Sequence, residues 1–84
     1  MKLVVVNFVS KQEADTAERW LTRLGASFTV TRRGAQPQIQ FYFSGDVAVS
    51  SPKARTVVLS LRAAGSGETP KIAIDMIATG AIIT

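Results

Sequence analysis

The sequence contains neither cysteine nor histidine among its 84 residues. Without cysteine the chain has no disulfide, no thiolate metal ligand and no thiol nucleophile. Without histidine it also lacks the imidazole that zinc sites and serine-histidine triads use. We therefore expect no metal site and no bound cofactor. Because the chain has no cysteine, its sequence does not indicate whether it resides in an oxidising or a reducing compartment.

Long hydrophobic runs are also missing. No stretch approaches the roughly 18 consecutive apolar residues of a membrane-spanning helix. Residues 1–9 resemble a signal peptide only faintly, because Asn7 interrupts the apolar run and Lys-Gln-Glu follows it. We interpret this segment as a first strand and predict a cytoplasmic protein with no membrane partner.

Acidic residues are scarce in the middle of the chain. The formal net charge is +4, and between Arg19 and Gly67 a single acid, Asp46, stands against seven basic residues. Such asymmetry is typical of proteins with a polyanionic partner, although small soluble proteins also carry a few unbalanced surface charges. Hydrophobic residues make up 46% and charged residues 19%, which indicates one globular domain over residues 1–84.

The order of the local patterns is β-α-β-β-α-β. A run of small polar residues or glycine separates most of the segments. The predicted elements are a strand at Lys2–Val9, a helix at Lys11–Leu24, strands at Ser27–Arg33 and Gln38–Phe43, a helix at Ser51–Ala64 and a strand at Lys71–Ala78. Alternation puts the apolar residues of two strands on one side each: Ile39, Phe41 and Phe43 in the third strand, and Ile72, Ile74, Met76 and Ala78 in the last.

The first predicted helix has complete local signals, and apolar residues at spacings of three and four predict one buried stripe of Ala14, Ala17, Leu21 and Leu24. Ser10 is an expected N-cap with Glu13 three residues later, and Gly25 is an expected C-cap. For the second helix, Ser51 is the expected cap, Pro52 is the first helical residue, and Leu59 shares an outward flank with Arg55 and Arg62. After Phe43 two interpretations stay open, a strand bent at Gly45 or a tight hairpin there, and we favour the bend or a short extra strand.

This order predicts the α+β class. We expect a ferredoxin-like βαββαβ two-layer sandwich with antiparallel sheet order 4-1-3-2 and both helices on one face. In that fold the second helix ends near the turn between strands two and three. It would therefore gather Lys11, Arg32, Arg33 and Arg62 at one end of the molecule.

The other face of such a sheet has no helix to cover it. The first strand is apolar on both parities, so one set of its side chains would be left on this face. A contiguous apolar patch on a small domain usually has a partner, and we predict a homo-oligomer. The alternative is that the C-terminal residues or residues 46–50 fold over this face. The predicted interface comprises Leu3, Val5, Val9, Ala73, Ile77, Ile82 and Ile83.

The layout and length resemble those of RNA recognition motif domains, and Leu3–Phe8 resembles the first-strand motif of that family. This resemblance implies nucleic-acid binding on the sheet. The family's stacking aromatic would fall at Val4, however, and its third-strand motif is missing from Gln38–Phe43. We therefore do not assign the chain to the family.

Catalysis has little support in this composition. Asp75 is the one acid within a predicted apolar strand, and Asn7 interrupts another. The two would approach each other if the first and last strands are neighbours. No pair of carboxylates stands at a spacing typical of glycosidases or metal sites. We predict that the protein is not an enzyme.

Our functional prediction is a small non-enzymatic binding protein. Its predicted partner is nucleic acid, bound through the basic end and the adjoining sheet surface. One alternative is a protein-docking module, such as a phage- or plasmid-encoded inhibitor of a host enzyme or defence complex, or an assembly subunit, and a small-molecule sensor ranks last. The predicted nucleic-acid-binding residues are Lys11, Arg32, Arg33, Tyr42, Arg55 and Arg62.

Overall fold

The computed structural model describes residues 1–32, 34, 36–63 and 72–84, with only the backbone described at 63, 72 and 73. Most of these residues lie in strands. The elements are β1 (Lys2–Asn7), α1 (Lys11–Leu24), β2 (Phe28–Arg32), β3 (Gln38–Phe43), β4 (Asp46–Lys53), β5 (Thr56–Ala63), β6 (Ile72–Ala78) and β7 (Gly80–Ile83).

Helix α1 forms where its sequence signals predicted it. Ser10 has extended φ and ψ angles of −149° and 166°, and its Oγ accepts the backbone N–H of Glu13 at 3.4 Å. Gly25 ends the helix in the left-handed conformation with φ 72°, and its N–H donates to the carbonyl oxygen of Thr22 at 3.1 Å. The predicted apolar stripe is confirmed, because Ala14, Ala17 and Leu21 are buried.

The strands form two antiparallel sheets. Sheet A has four strands in the order β2-β3-β1-β7, and sheet B has three in the order β4-β5-β6. The predicted neighbours of β1, β2 and β3 are therefore present. The predicted strand Lys71–Ala78, which corresponds to β6, was expected at the edge of this sheet next to β1. That position is occupied by β7, and β6 pairs with β5 in sheet B.

The prediction of a two-helix ferredoxin-like fold is wrong. The described part of the segment predicted as the second helix, up to Ala63, forms the end of β4, a turn at Ala54 and Arg55, and then β5. Leu59 and Leu61 are buried and Arg62 is exposed, so the segment alternates as a strand does. Spacings of three and four among its apolar residues fit a helix equally well, but the β-branched run Thr56–Val58 and two neighbouring strands favour extended backbone.

Two corners join the sheets. Between β3 and β4 the chain bends at Ser44 and Gly45, which is the interpretation favoured from the sequence. A Cβ atom at Gly45 would lie 2.7 Å from Cε2 of Phe43 and closer still to the carbonyl oxygen of Arg62, so only glycine fits there. At the second corner, between β6 and β7, the N–H of Thr79 donates to the carbonyl oxygen of Asn7 at 2.8 Å.

A single hydrophobic core lies between sheet A, sheet B and α1. The core shows which side of β1 is buried. Val4 and Val6 of β1, and Phe8 just after it, are buried in this core. Consequently Leu3 and Val5 face the opposite side of sheet A, which no described element covers. The other buried members are Ala14, Ala17, Leu21, Ile39, Phe41, Phe43, Leu59, Leu61, Ile74, Met76 and Ala78.

Candidate functional site

The uncovered side of sheet A is a nearly uncharged surface, which we call the open face. Val5 lies opposite Gln40 on one side and Ile82 on the other, and Leu3 lies opposite Tyr42. Its β1–β7 half is thus apolar, whereas its β2–β3 half is polar. The open face comprises Leu3, Val5, Asn7, Thr29, Gln38, Gln40, Tyr42 and Ile82.

A hydrogen-bond network holds Arg32 at one end of the open face. The register of β2 shifts between Val30 and Arg32, which brings Arg32 opposite Gln38. Nη2 of Arg32 donates to Oδ1 of Asn7 at 3.3 Å, and Nε donates to the carbonyl oxygen of Gln36 at 2.6 Å. Gln38 donates to the same Asn7 oxygen at 2.8 Å. Because these acceptors are neutral, they orient the guanidinium without neutralising its charge.

Tyr42 lies at the other end of the open face. Its side chain is 58% exposed, and a shallow groove of about 210 Å³ runs beside it along Thr29 and Gln40. Tyr42 lies four residues beyond Gln38 along β3, which at ~3.3 Å per residue is roughly 13 Å. The open face therefore has a fixed cation at one end and an exposed aromatic ring at the other.

More basic residues extend the arginine end. A cleft of about 300 Å³ is lined by Lys11, Gly34 and Pro37. The acidic side chains of Asp15 and Glu18 line the same cleft. Val57 pairs with Ala78, and the next residue, Thr79, binds Asn7, so the β4–β5 turn emerges at this end of sheet A. We call the set Lys11, Arg32, Lys53 and Arg55 the basic end.

Arg55 adopts an unusual backbone conformation at the tip of the β4–β5 hairpin. Ala54 and Arg55 form the turn between the paired residues Lys53 and Thr56, and Arg55 has φ 61°. For a residue with a Cβ, the left-handed region costs about 1–2 kcal/mol relative to ordinary helical or extended backbone. The Arg55 side chain is exposed, at a position where glycine would be unstrained.

The other predicted nucleic-acid residues do not all join this cluster. Arg62 lies on the outer side of sheet B opposite Asp46, next to Gly45 at the far end of β3, so its predicted place beside Arg32 is wrong. Arg33 lies outside the described residues. Lys53 was not among the predicted binding residues. Its turn, Ala54 and Arg55, has none of the Asn, Asp or Gly residues that signal a two-residue hairpin.

Three of the predicted interface residues share the open face. Leu3 and Val5 are half-buried there, and Ile82 is 59% exposed. Because β7 extends sheet A at its edge, it does not fold over this face. The remaining four lie elsewhere. Val9 lies beyond the end of β1, Ile77 lies on the outer side of sheet B, and Ile83 is half-buried against the core. Ala73 belongs to β6, where only its backbone is described.

The polar groups considered for catalysis lie in different sheets. Asp75 is exposed in sheet B, where its Oδ1 accepts the Ser60 hydroxyl at 2.7 Å, whereas Asn7 belongs to the sheet A network. In the part of the chain that the structure describes, no three or more acidic side chains are grouped so that they could hold a metal ion. Over the same residues, no helix has the length and hydrophobicity needed to cross a membrane.

Comparison of the chain with models of known protein families, with curated proteins and with solved structures found no match. Inferences about function therefore depend on the residues of this chain and their geometry.

Proposed function

We propose that this chain is a non-enzymatic binding protein that holds single-stranded nucleic acid across the open face of sheet A. The observation that carries the proposal is the pairing of Arg32, fixed by neutral acceptors, with the exposed ring of Tyr42 across an uncharged surface. A cytoplasmic location, where nucleic acid is accessible, is part of the same proposal.

The basic end supplies the contacts to phosphate. Lysine and arginine side chains that neutralise phosphates release condensed counterions, and this release drives binding at low salt. Arg32 is the best placed of them, because its hydrogen bonds to Asn7 and Gln36 restrict its side chain before any ligand arrives. Lys53 and Arg55 extend the positive surface along the hairpin, and the net charge of +4 attracts a polyanion from a distance.

The open face supplies the contacts to bases. Stacking of one base on an aromatic side chain is worth about 1–3 kcal/mol. Tyr42 can stack only an unpaired base, since paired bases in a duplex already stack on their neighbours. Gln40 and Thr29 lie opposite one another beside it and offer both hydrogen-bond donors and acceptors. The roughly 13 Å between the two ends of the face suits a strand rather than a mononucleotide.

The size of the open face favours this partner over a docked protein. Four strands about 4.8 Å apart and some five residues long cover roughly 300 Å². A stable protein–protein interface buries about 800 Å² on each partner. A protein docked face to face would therefore need contacts well beyond the open face, whereas a short single strand would not.

Fluorescence anisotropy with labelled oligonucleotides of about twelve nucleotides tests the proposal. We expect single-stranded DNA or RNA to bind more tightly than a duplex of the same sequence, and affinity to fall steeply between about 50 mM and 200 mM salt. Arg32→Ala should weaken binding to all sequences and reduce the salt slope by about one. Tyr42→Ala should weaken single-strand binding about 5- to 150-fold, while Tyr42→Phe, which keeps the ring, should not.

Arg19→Ala is the matched control. It removes the same charge from an exposed site on α1, where Nη2 of Arg19 donates to Oγ1 of Thr16 in its own helix at 3.4 Å. Equal losses for Arg19→Ala and Arg32→Ala would show that only net charge matters and would contradict the proposed site. If no oligonucleotide binds at low salt, the proposal is wrong and the alternative prediction of a protein-docking module takes its place.

A further inference from the structure

Among the described strands, one sheet edge carries no charge, proline or bulge that would discourage strand pairing between molecules. Natural edge strands carry charges, prolines or bulges that discourage a second chain from pairing there. Edge strand β2 has a register shift and Arg32, β4 has Pro52 and Lys53, and β6 has Asp75. The edge strand β7, with the sequence Gly-Ala-Ile-Ile, has no charge, proline or bulge, and its short length of four residues is the one such feature that it has.

The backbone of β7 is also oriented to accept a partner. Leu3 and Thr84 exchange two hydrogen bonds of 2.9 Å, so the N–H and C=O groups of Thr84 point toward β1. Because these directions alternate along an antiparallel strand, Ile82 also bonds toward β1 while Ala81 and Ile83 point away from it. Among the described strands, β1 is the one that pairs with β7.

We propose that β7 pairs with β7 of a second copy of this chain, antiparallel, about a two-fold axis at Ile82. The dimer is a weak, concentration-dependent one, because a four-residue strand buries much less than the roughly 800 Å² per partner of a stable interface. With the axis at this residue, Ala81 faces Ile83 of the partner subunit, and Ile83 faces the partner's Ala81. Both pairs exchange two backbone hydrogen bonds, so all four edge groups of each strand are satisfied. An axis centred on Ala81 would leave Ile83 without a partner in β7.

The side chains fit a second copy. Identical antiparallel strands are self-complementary about a two-fold axis, and β7 has no charge that would repel its copy although each chain has a net charge of +4. Ile82, 59% exposed in one copy, would be covered by its symmetry mate on the open-face side. Two sheets of four strands would become one of eight, with both open faces on the same side.

Cysteine cross-linking tests this geometry directly, since the chain has no cysteine of its own. Residues in a non-hydrogen-bonded antiparallel pair have Cα atoms about 4.5 Å apart, within the range for a disulfide. Ile82→Cys should therefore form a disulfide-linked dimer under mild oxidation. Ile77→Cys, at an isoleucine that is 46% exposed on the outer side of β6, is the matched control and should stay largely monomeric.

Sedimentation of the uncross-linked protein provides a second measurement. The wild type should show a concentration-dependent dimer, and Ile82→Lys should weaken it at least about tenfold by placing two like charges across the axis. Ile77→Lys should dimerise like the wild type. A wild type that stays monomeric at all concentrations, unchanged dimerisation in Ile82→Lys, or equal cross-linking at both cysteines would each overturn the proposal. None of these readouts requires nucleic acid, so the dimer and the proposed function are tested independently.

Discussion

Replacing Gly45 with alanine should disrupt the corner between the two sheets. A Cβ atom there would lie 2.7 Å from Cε2 of Phe43, about 1 Å inside the distance at which carbon atoms pack. The carbonyl oxygen of Arg62 would be closer still. That oxygen cannot swing away as a side chain can, because Arg62 pairs with Asp46 and Ala73 within sheet B.

The expected loss of stability follows from these contacts. Overpacking of a buried site typically costs about 1–3 kcal/mol, and a clash with backbone belongs at the upper end, about 3 kcal/mol. Alanine also has less conformational freedom than glycine in the unfolded chain, and this raises the free energy of unfolding by about 0.4–1 kcal/mol. The net change in the free energy of unfolding is therefore about 2 kcal/mol, which lowers the Tm of a domain this size by roughly 8–16 °C.

Urea unfolding followed by tryptophan fluorescence measures this loss. Trp20 is the only tryptophan, and in the folded protein the guanidinium carbon of Arg23 lies 5.3 Å from its ring centre. Gly80→Ala is the matched control, because a Cβ atom at Gly80 would meet nothing within 4 Å. The control should change stability by less than about 0.5 kcal/mol. If Gly45→Ala is as stable as Gly80→Ala, the close approach at this corner is refuted.

Two further substitutions test local features. Ser10→Ala should lower the free energy of unfolding by about 0.5–1 kcal/mol, at the low end for an N-cap because the hydrogen bond from Glu13 is long at 3.4 Å; unchanged urea stability would show that the cap contributes nothing. Arg55→Gly should raise stability by about 1 kcal/mol, since glycine adopts a φ of 61° without strain, and should weaken oligonucleotide binding in the anisotropy assay. Arg55→Gly with wild-type affinity would exclude the hairpin tip from the proposed interface.

Local signals were sufficient where one segment of chain contains the whole pattern. Ser10 and Gly25 predicted both ends of α1, and the spacing of its apolar residues predicted the buried stripe. Alternation in Gln38–Phe43 predicted β3 and its buried side, Ile39, Phe41 and Phe43. The same parity rule predicted the buried Ile74, Met76 and Ala78 of β6, although not the sheet to which β6 belongs.

The segment from Ser51 to Ala64 shows why the rest was not predictable. Its apolar residues fit periods of both two and 3.6, so the choice between strand and helix depended on neighbours distant in sequence. Pairing of β5 with β4 and β6 made it a strand and buried Leu59, which the helical interpretation placed outward. The same change moved Arg62 away from Arg32 and brought the hairpin with Lys53 and Arg55 to the basic end.

The sequence by itself determined the first helix, the faces of the alternating strands, the surplus of positive charge and the absence of cysteine and histidine chemistry. Tertiary structure decided which sheet each strand joined, which parity of β1 was buried, and which basic residues share one end with the open face. The physical reason is that caps and periodicity act within a few residues, whereas strand pairing and the shared core join residues far apart in the chain.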